Sequence, residues 1–162
     1  MKRIVTLIMT LILISALAAC AEREQEEYAA FEVHTLTADE NGMLTIDASG
    51  VTSTVGYYNY DVNGTTVQLM AMRDNDGKAH VAFNTCQSCS PSPKAYFLQK
   101  GELLECQNCK NLFSAYQVGI ESGGCNPWPI EGVEITETVI RIPAASLLNM
   151  ERAFANWAGP KE

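Results

Sequence analysis

Two Cys-x-x-Cys pairs, Cys86-Gln-Ser-Cys89 and Cys106-Gln-Asn-Cys109, stand with 16 residues between them. Two intervening residues allow a tight turn that aims both sulfurs at one point. Two such turns brought together present four thiolates, a donor set that suits a zinc ion, a single iron or an iron–sulfur cluster. The spacing therefore specifies a four-cysteine metal site made of Cys86, Cys89, Cys106 and Cys109, and it leaves the metal open. Neither pair is followed by histidine, since Ser90 and Lys110 come next, so covalent c-type haem attachment is not expected. Cys125 stands apart in Gly123-Gly124-Cys125-Asn126-Pro127-Trp128-Pro129. It is a candidate further metal ligand, hydrogen-bond partner or shield of the site. The competing reading is a buried small hydrophobe beside two glycines.

Metal-site turns need strands to carry them. His80 to Phe83 is a short apolar run leading to the first pair. Ser90-Pro91-Ser92-Pro93 forces a loop, Ala95 to Leu98 reads as a strand, and Lys100-Gly101 as a turn. Leu103 and Leu104 start the return strand that delivers Cys106. Elsewhere, turn signals recur at Asn41-Gly42, Asn63-Gly64 and Asn75-Asp76-Gly77. Asn63-Gly64 joins Val55–Tyr60 to Thr66–Met72 as a hairpin. Val133 to Ile142 is a further β-branched stretch. The chain closes with an expected helix from Pro143, whose Leu147, Met150, Phe154 and Trp157 share one face as core packing. The only histidines, His34 and His80, lie outside the cysteine pairs, and His80 reads as a strand residue. Trp128 reads as a packing aromatic and Phe113 as a core residue. The expected fold is mainly β: a small β-sandwich with two metal-binding hairpin loops and a C-terminal helix.

The N-terminus is not part of that domain. Lys2 and Arg3 precede an apolar run from Ile4 to Leu17, too short to span a membrane comfortably. It ends in Leu17-Ala18-Ala19-Cys20, a pattern that resembles the bacterial lipobox, in which the cysteine is lipidated after cleavage. The expected organisation is a leader over 1–19, a lipidated N-terminus and acidic tether over 20–33, and a metal-binding domain over 34–162. Removing 19 of the 162 residues leaves 143, enough to bury a real core. Losing Lys2 and Arg3 takes the net charge from −8 to −10. Such a balance argues against nucleic-acid binding and against an electrostatic membrane patch. Membrane attachment is expected through acyl chains on Cys20, which makes the protein an extracytoplasmic, membrane-anchored lipoprotein. Export favours disulfides as a rival to metal. Five cysteines remain besides Cys20, however, and an odd number cannot all pair.

The run Ala82-Phe83-Asn84-Thr85-Cys86 through Leu104-Glu105-Cys106-Gln107-Asn108-Cys109, then Phe113, Gly119 and Gly123-Gly124-Cys125-Asn126-Pro127-x-Pro129, resembles the FtrD-like family of membrane iron–sulfur-containing proteins. That resemblance spans roughly Thr52 to the C-terminus. It implies a bacterial, membrane-associated protein linked to iron-uptake systems. Many relatives carry transmembrane helices, whereas this sequence has no such run after its leader. A more distant likeness is to Rieske domains, where two loops hold a two-iron cluster and a Gly- and Pro-rich loop covers it. On that likeness Cys86, Cys89, Cys106 and Cys109 take the four ligand places, and Gly123–Pro129 the covering loop. With cysteine in both histidine places, a bound cluster would have a potential well below that of a Rieske centre.

The leading expectation is an electron-transfer protein, more a redox or binding protein than a substrate-converting enzyme. Its cofactor would be iron or an iron–sulfur cluster, and its partner a membrane iron-transport or redox protein. The alternative is a non-redox protein-interaction module with a structural four-cysteine zinc site. A thiol–disulfide enzyme is a third reading, and it lacks the βαβ context that would support it. The leader shows Lys2-Arg3 and no Arg-Arg pair, unlike the route for folded cargo. This counts against a cluster built in the cytoplasm and not against a single ion acquired outside.

Overall fold

The computed structural model describes residues 27–161. The expected leader, Cys20 and the charged run to Glu26 lie outside the described residues. The fold is mainly β, in three sheets. The central sheet has the order β1 (Val33–Thr35), β3 (Gly56–Val62), β4 (Thr65–Arg73), β5 (Ala79–Cys86), β9 (Pro127–Trp128). A second sheet has the order β10 (Glu134–Ile135), β11 (Val139–Pro143), β2 (Met43–Asp47). A third runs β6 (Phe97–Lys100), β7 (Leu103–Cys106), β8 (Leu112–Ser114). All pairings are antiparallel except β1 with β3.

Local sequence explains the central hairpins. Val62 pairs with Thr65 across Asn63-Gly64, whose φ angles of 51° and 86° are those of a two-residue turn with both central residues left-handed. The next connection, Asp74–Lys78, is closed by the Asp74 carboxylate, which accepts from the amides of Asp76 and Lys78 at 3.0 and 2.9 Å.

The central sheet is covered on both faces, so its strands do not read as clean alternations. Every residue of β5 is buried. Leu69, Ala71, Val81 and Phe83 face the second sheet and its Leu44, Ile46, Ile140 and Ile142. Met70, Met72 and Ala82 face the third sheet and its Phe97 and Leu104, with Phe113 behind them. Strand alternation thus feeds two cores from one sheet. The third sheet carries the second cysteine pair, and β5 carries the first.

Three expectations shift in position. The first hairpin strand near the site is Phe97–Lys100, two residues later than expected. The carbonyls of Ala95 and Tyr96 are engaged instead by the cysteine turns, accepting from Cys86 and Gln107. The stretch from Val133 to Ile142 is a hairpin, β10 and β11, because Thr136 folds back onto Val139. The C-terminal helix is mostly not α-helical. A 3-10 helix covers Ala144–Met150, followed by the single α-turn α1 (Glu151–Phe154). Ala144, Leu147 and Met150 recur every three residues, which is the 3-10 period, and all three are buried. The expected core stripe itself is present, with Leu147, Met150, Phe154 and Trp157 all in the core facing the second sheet.

The chain also packs ahead of residue 34. Tyr28 bridges to Lys100, the Ala29 amide donates to the Gln99 carbonyl at 3.0 Å, and the Tyr28 hydroxyl donates to Glu105 at 2.6 Å.

Candidate metal centre

Both cysteine pairs are built by the same local device. β5 ends at Cys86, and the Cys86 carbonyl accepts from the Ser90 amide at 2.9 Å. β7 ends at Cys106, and the Cys106 carbonyl accepts from the Lys110 amide at 2.9 Å. Each first cysteine is the last residue of a strand, and each second cysteine sits in the turn that follows. The second turn closes through Lys110 in the left-handed region, φ 63°. The two turns are tied together. The Gln107 amide donates to the Tyr96 carbonyl at 2.7 Å, and the Ser92 hydroxyl donates to Asn108 Oδ1 at 2.8 Å.

The four sulfurs of Cys86, Cys89, Cys106 and Cys109 all lie within 4.8 Å of one another. Cys89 and Cys106 are 3.9 Å apart, sulfur to sulfur. Four thiolates about 2.3 Å from one tetrahedral ion stand roughly 3.8 Å from each other. The arrangement therefore fits a metal held by all four. No disulfide forms among the described cysteines, and all five are free. Cys86 and Cys106 are buried, whereas Cys89 and Cys109 are half-buried.

Turn amides point at the sulfurs. The Cys89 amide donates to Cys86, the amides of Cys109 and Asn108 to Cys106, and the Asn111 amide to Cys109. Such donors favour charged sulfur. The neighbouring Cys86 thiol, helped by the two amides, holds Cys106 down to about 5. The Cys106 sulfur beside it, together with burial, pushes Cys86 up. Burial pushes Cys109 up to about 12. A metal ion must displace thiol protons, so binding is proton-coupled.

The Gly- and Pro-rich segment lies against the first pair. The Gln87 amide donates to the Asn126 carbonyl at 3.2 Å, and the Ser88 amide and hydroxyl donate to the Gly124 carbonyl at 3.1 and 2.6 Å. The Gly123 amide returns a bond to Gln87 Oε1 at 2.8 Å. Gly123 and Gly124 have φ of 86° and 67°, an adjacent left-handed pair that glycine adopts without strain. Cys125 is not one of the four converging sulfurs. Its carbonyl accepts from the Cys86 thiol at 3.3 Å, and its half-buried side chain packs on the core beside them. Trp128 pairs with Phe83 across β9 and β5 and is partly exposed. Phe113 is buried, edge-on to Phe97.

Neither histidine belongs to the site. His80 is buried on β5, with Nε2 2.8 Å from Asp74 Oδ2 and Nδ1 3.2 Å from the Val118 carbonyl. His34 lies on β1, stacked on Tyr58. Sequence reasoning missed two supports of the site. Gln87 and Ser88, the variable residues of the first pair, clamp the covering segment. Asn84 fastens β5 to the metal-bearing hairpin, accepting from the Phe97 amide at 2.8 Å. An amide side chain two residues before a site cysteine, inside a mostly apolar strand, is the signal that could have marked it.

With this geometry in hand, the class is defined: a β domain with four convergent cysteines at one end. The chain belongs to the FtrD-like family, described as membrane iron-sulfur containing proteins, whose model matches residues 51–154. That span takes in β3 to α1 and all five described cysteines. Among curated proteins and among solved structures, nothing matches this chain. Among the described residues, no helix is long and apolar enough to cross a membrane.

Proposed function

We propose that the protein is a lipid-anchored, extracytoplasmic electron-transfer protein in which Cys86, Cys89, Cys106 and Cys109 hold iron, serving a membrane iron-uptake system. The observation that carries this reading is the convergence of four thiol groups at one end of the domain, in a family described as iron–sulfur containing. Iron held by four thiolates can gain or lose one electron without changing its ligands. The surroundings favour contact with a partner. Residues 86–93, 106–109 and 122–130 contain no charged side chain, although the chain carries a net charge of −8. Charged residues flank these stretches, Lys94, Lys110, Glu121 and Glu131 among them, and Lys110 is paired with Glu105 at 3.0 Å. A docking partner would strip water from amides, hydroxyls and glycines there, not from ions, as interface centres favour. Cys89 and Cys109 reach that rim half-exposed. The anchor would be the lipid on Cys20, and the partner a membrane iron-transport or redox protein.

The test is a redox titration of protein purified without oxygen from its own host, followed by visible absorption and metal analysis. The expected result is bound iron and one reversible one-electron couple. Colourless protein holding about one zinc per chain would end the electron-transfer reading. The four cysteines would then be a structural zinc site in a protein-interaction module, an alternative that the compact sulfur set accommodates equally well.

A further inference from the structure

The span of the four sulfurs constrains what they can enclose. In a two-iron cluster each iron takes two thiolates and two bridging sulfides. With metal–sulfur bonds of about 2.3 Å and tetrahedral angles, the irons stand roughly 2.7 Å apart. Each Fe–thiolate bond projects roughly 1.3 Å further outward along the iron–iron axis. The thiolates of one iron therefore lie at least about 5.3 Å from those of the other. A four-iron cluster, with one thiolate at each corner of a larger core, spreads them more. Here every sulfur–sulfur distance, within a pair and between pairs, is at most 4.8 Å. The Cys89–Cys106 distance, which runs between the pairs, is 3.9 Å. That is the spacing of ligands on one ion.

The turns cannot easily open to admit more. Cys86 and Cys106 are the buried ends of β5 and β7. The two turns are cross-linked by Gln107 to Tyr96 and by Ser92 to Asn108. Residues 124–126 hold the first turn from outside, through Gln87, Ser88 and Cys86. Spreading the pairs means breaking some of these bonds.

We infer that the centre is mononuclear: one metal ion bound directly by the thiolates of Cys86, Cys89, Cys106 and Cys109, with no inorganic sulfide. A single iron among four cysteine sulfurs is still an iron–sulfur site, so the family description is met without a cluster. The inference rests on the same four ligands as the proposed function and narrows what they hold. The expected leader points the same way. On that reading of residues 1–19, Lys2-Arg3 with no Arg-Arg pair is unlike the signal that exports folded cargo. A protein threaded unfolded can take up a single ion outside, whereas a cluster would have to be rebuilt there.

The test measures iron, zinc and acid-labile sulfide per chain on the full-length protein, extracted in detergent from its own membranes without oxygen. Any chains isolated without metal are titrated with Co2+ and followed by the visible absorption of tetrahedral cobalt thiolate. The expected result is one metal per chain, no labile sulfide and a cobalt break at one equivalent. The break should persist in Cys125→Ser and vanish in Cys89→Ser. Two irons with two sulfides per chain, four with four, a cobalt break at two equivalents, or no cobalt binding would each overturn the inference. One zinc per chain without sulfide upholds the mononuclear centre and overturns electron transfer, which separates the two failures.

Discussion

Asn84 is the joint between the strand that carries the first cysteine pair and the hairpin that carries the second. Its Oδ1 accepts from the Phe97 amide, and its Nδ2 donates to Gln68 Oε1, each at 2.8 Å. Gln68 in turn donates from Nε2 to Asn59 Oδ1 at 2.8 Å and to the Pro160 carbonyl at 2.9 Å. Asn84, Gln68 and Phe97 are wholly buried, at 0% exposure. Asn84→Ala removes both side-chain bonds and leaves two orphans, the Phe97 N–H and the Gln68 carbonyl oxygen. A buried orphan costs roughly 1–3 kcal/mol, so the pair costs about 2–6 kcal/mol before any cavity. Against a total stability of about 5–15 kcal/mol, that is a large fraction. The bond from Trp157 Nε1 to the Asn84 carbonyl is backbone-directed and survives, so tryptophan fluorescence still reports the transition.

The assay is urea unfolding followed by fluorescence and circular dichroism, with the slope unchanged and the midpoint lowered. A second readout is metal transfer to a chelator. It should quicken, because the Phe97 anchor stands next to Tyr96, whose carbonyl holds the second cysteine turn. The double variant Asn84→Ala with Gln68→Ala should fall short of additivity by roughly 1–2 kcal/mol, since each substitution removes a group that the other orphans. A single-variant loss under about 1 kcal/mol, or full additivity, would refute the reasoning.

Three other outcomes are expected. Gly119 has φ 71°, and a Cβ there would stand 2.3 Å from the Val81 carbonyl oxygen on β5. Gly119→Ala should therefore cost about 2–4 kcal/mol in urea unfolding, strain and displaced backbone together. The Asp74 carboxyl is held below its ordinary 3.8 chiefly by the hydrogen bond from His80. Its stabilisation is complete above that value and is lost as pH falls through the lower, folded one. The midpoint gap between wild type and Asp74→Asn should be steady near neutrality and close below about pH 4, which unfolding curves across pH would check. Cys20→Ala should move the protein out of the membrane fraction and abolish fatty-acid labelling, with unchanged fractionation counting against a lipid anchor.

The sequence carried the site more fully than it carried the architecture. Paired spacing is a local property, and Cys86, Cys89, Cys106 and Cys109 meet as their turns dictate. The Asn63-Gly64 hairpin is likewise local and forms as written. What could not be read is set by long-range contact. The central sheet is covered on both faces, so Ala79–Cys86 shows no alternation that would reveal which residues serve which core. The C-terminal stripe marks its core residues but not the pitch. A repeat of three at Ala144, Leu147 and Met150 continues into a spacing of four at Phe154, and packing on the second sheet decides between the two. The link from Gln68 to Asn84 to Phe97 joins three strands at separations that no motif records.

The two halves of the site divide the labour of holding a metal. Cys86 and Cys106 end strands inside the second core, so their positions are fixed by the packing of Met70, Phe97 and Leu104 around them. Cys89 and Cys109 sit in one-turn loops whose geometry comes from local backbone bonds, and their sulfurs reach the rim. The buried pair would set where a bound ion rests, and the turn pair would close its coordination sphere. On the electron-transfer reading the route outward then runs through Cys89 and Cys109, the two ligands with exposed surface, into stretches that carry no Asp, Glu, Lys or Arg of their own. The acidic balance of the chain lies outside those stretches. It can steer a basic partner from a distance, with an effect that salt weakens.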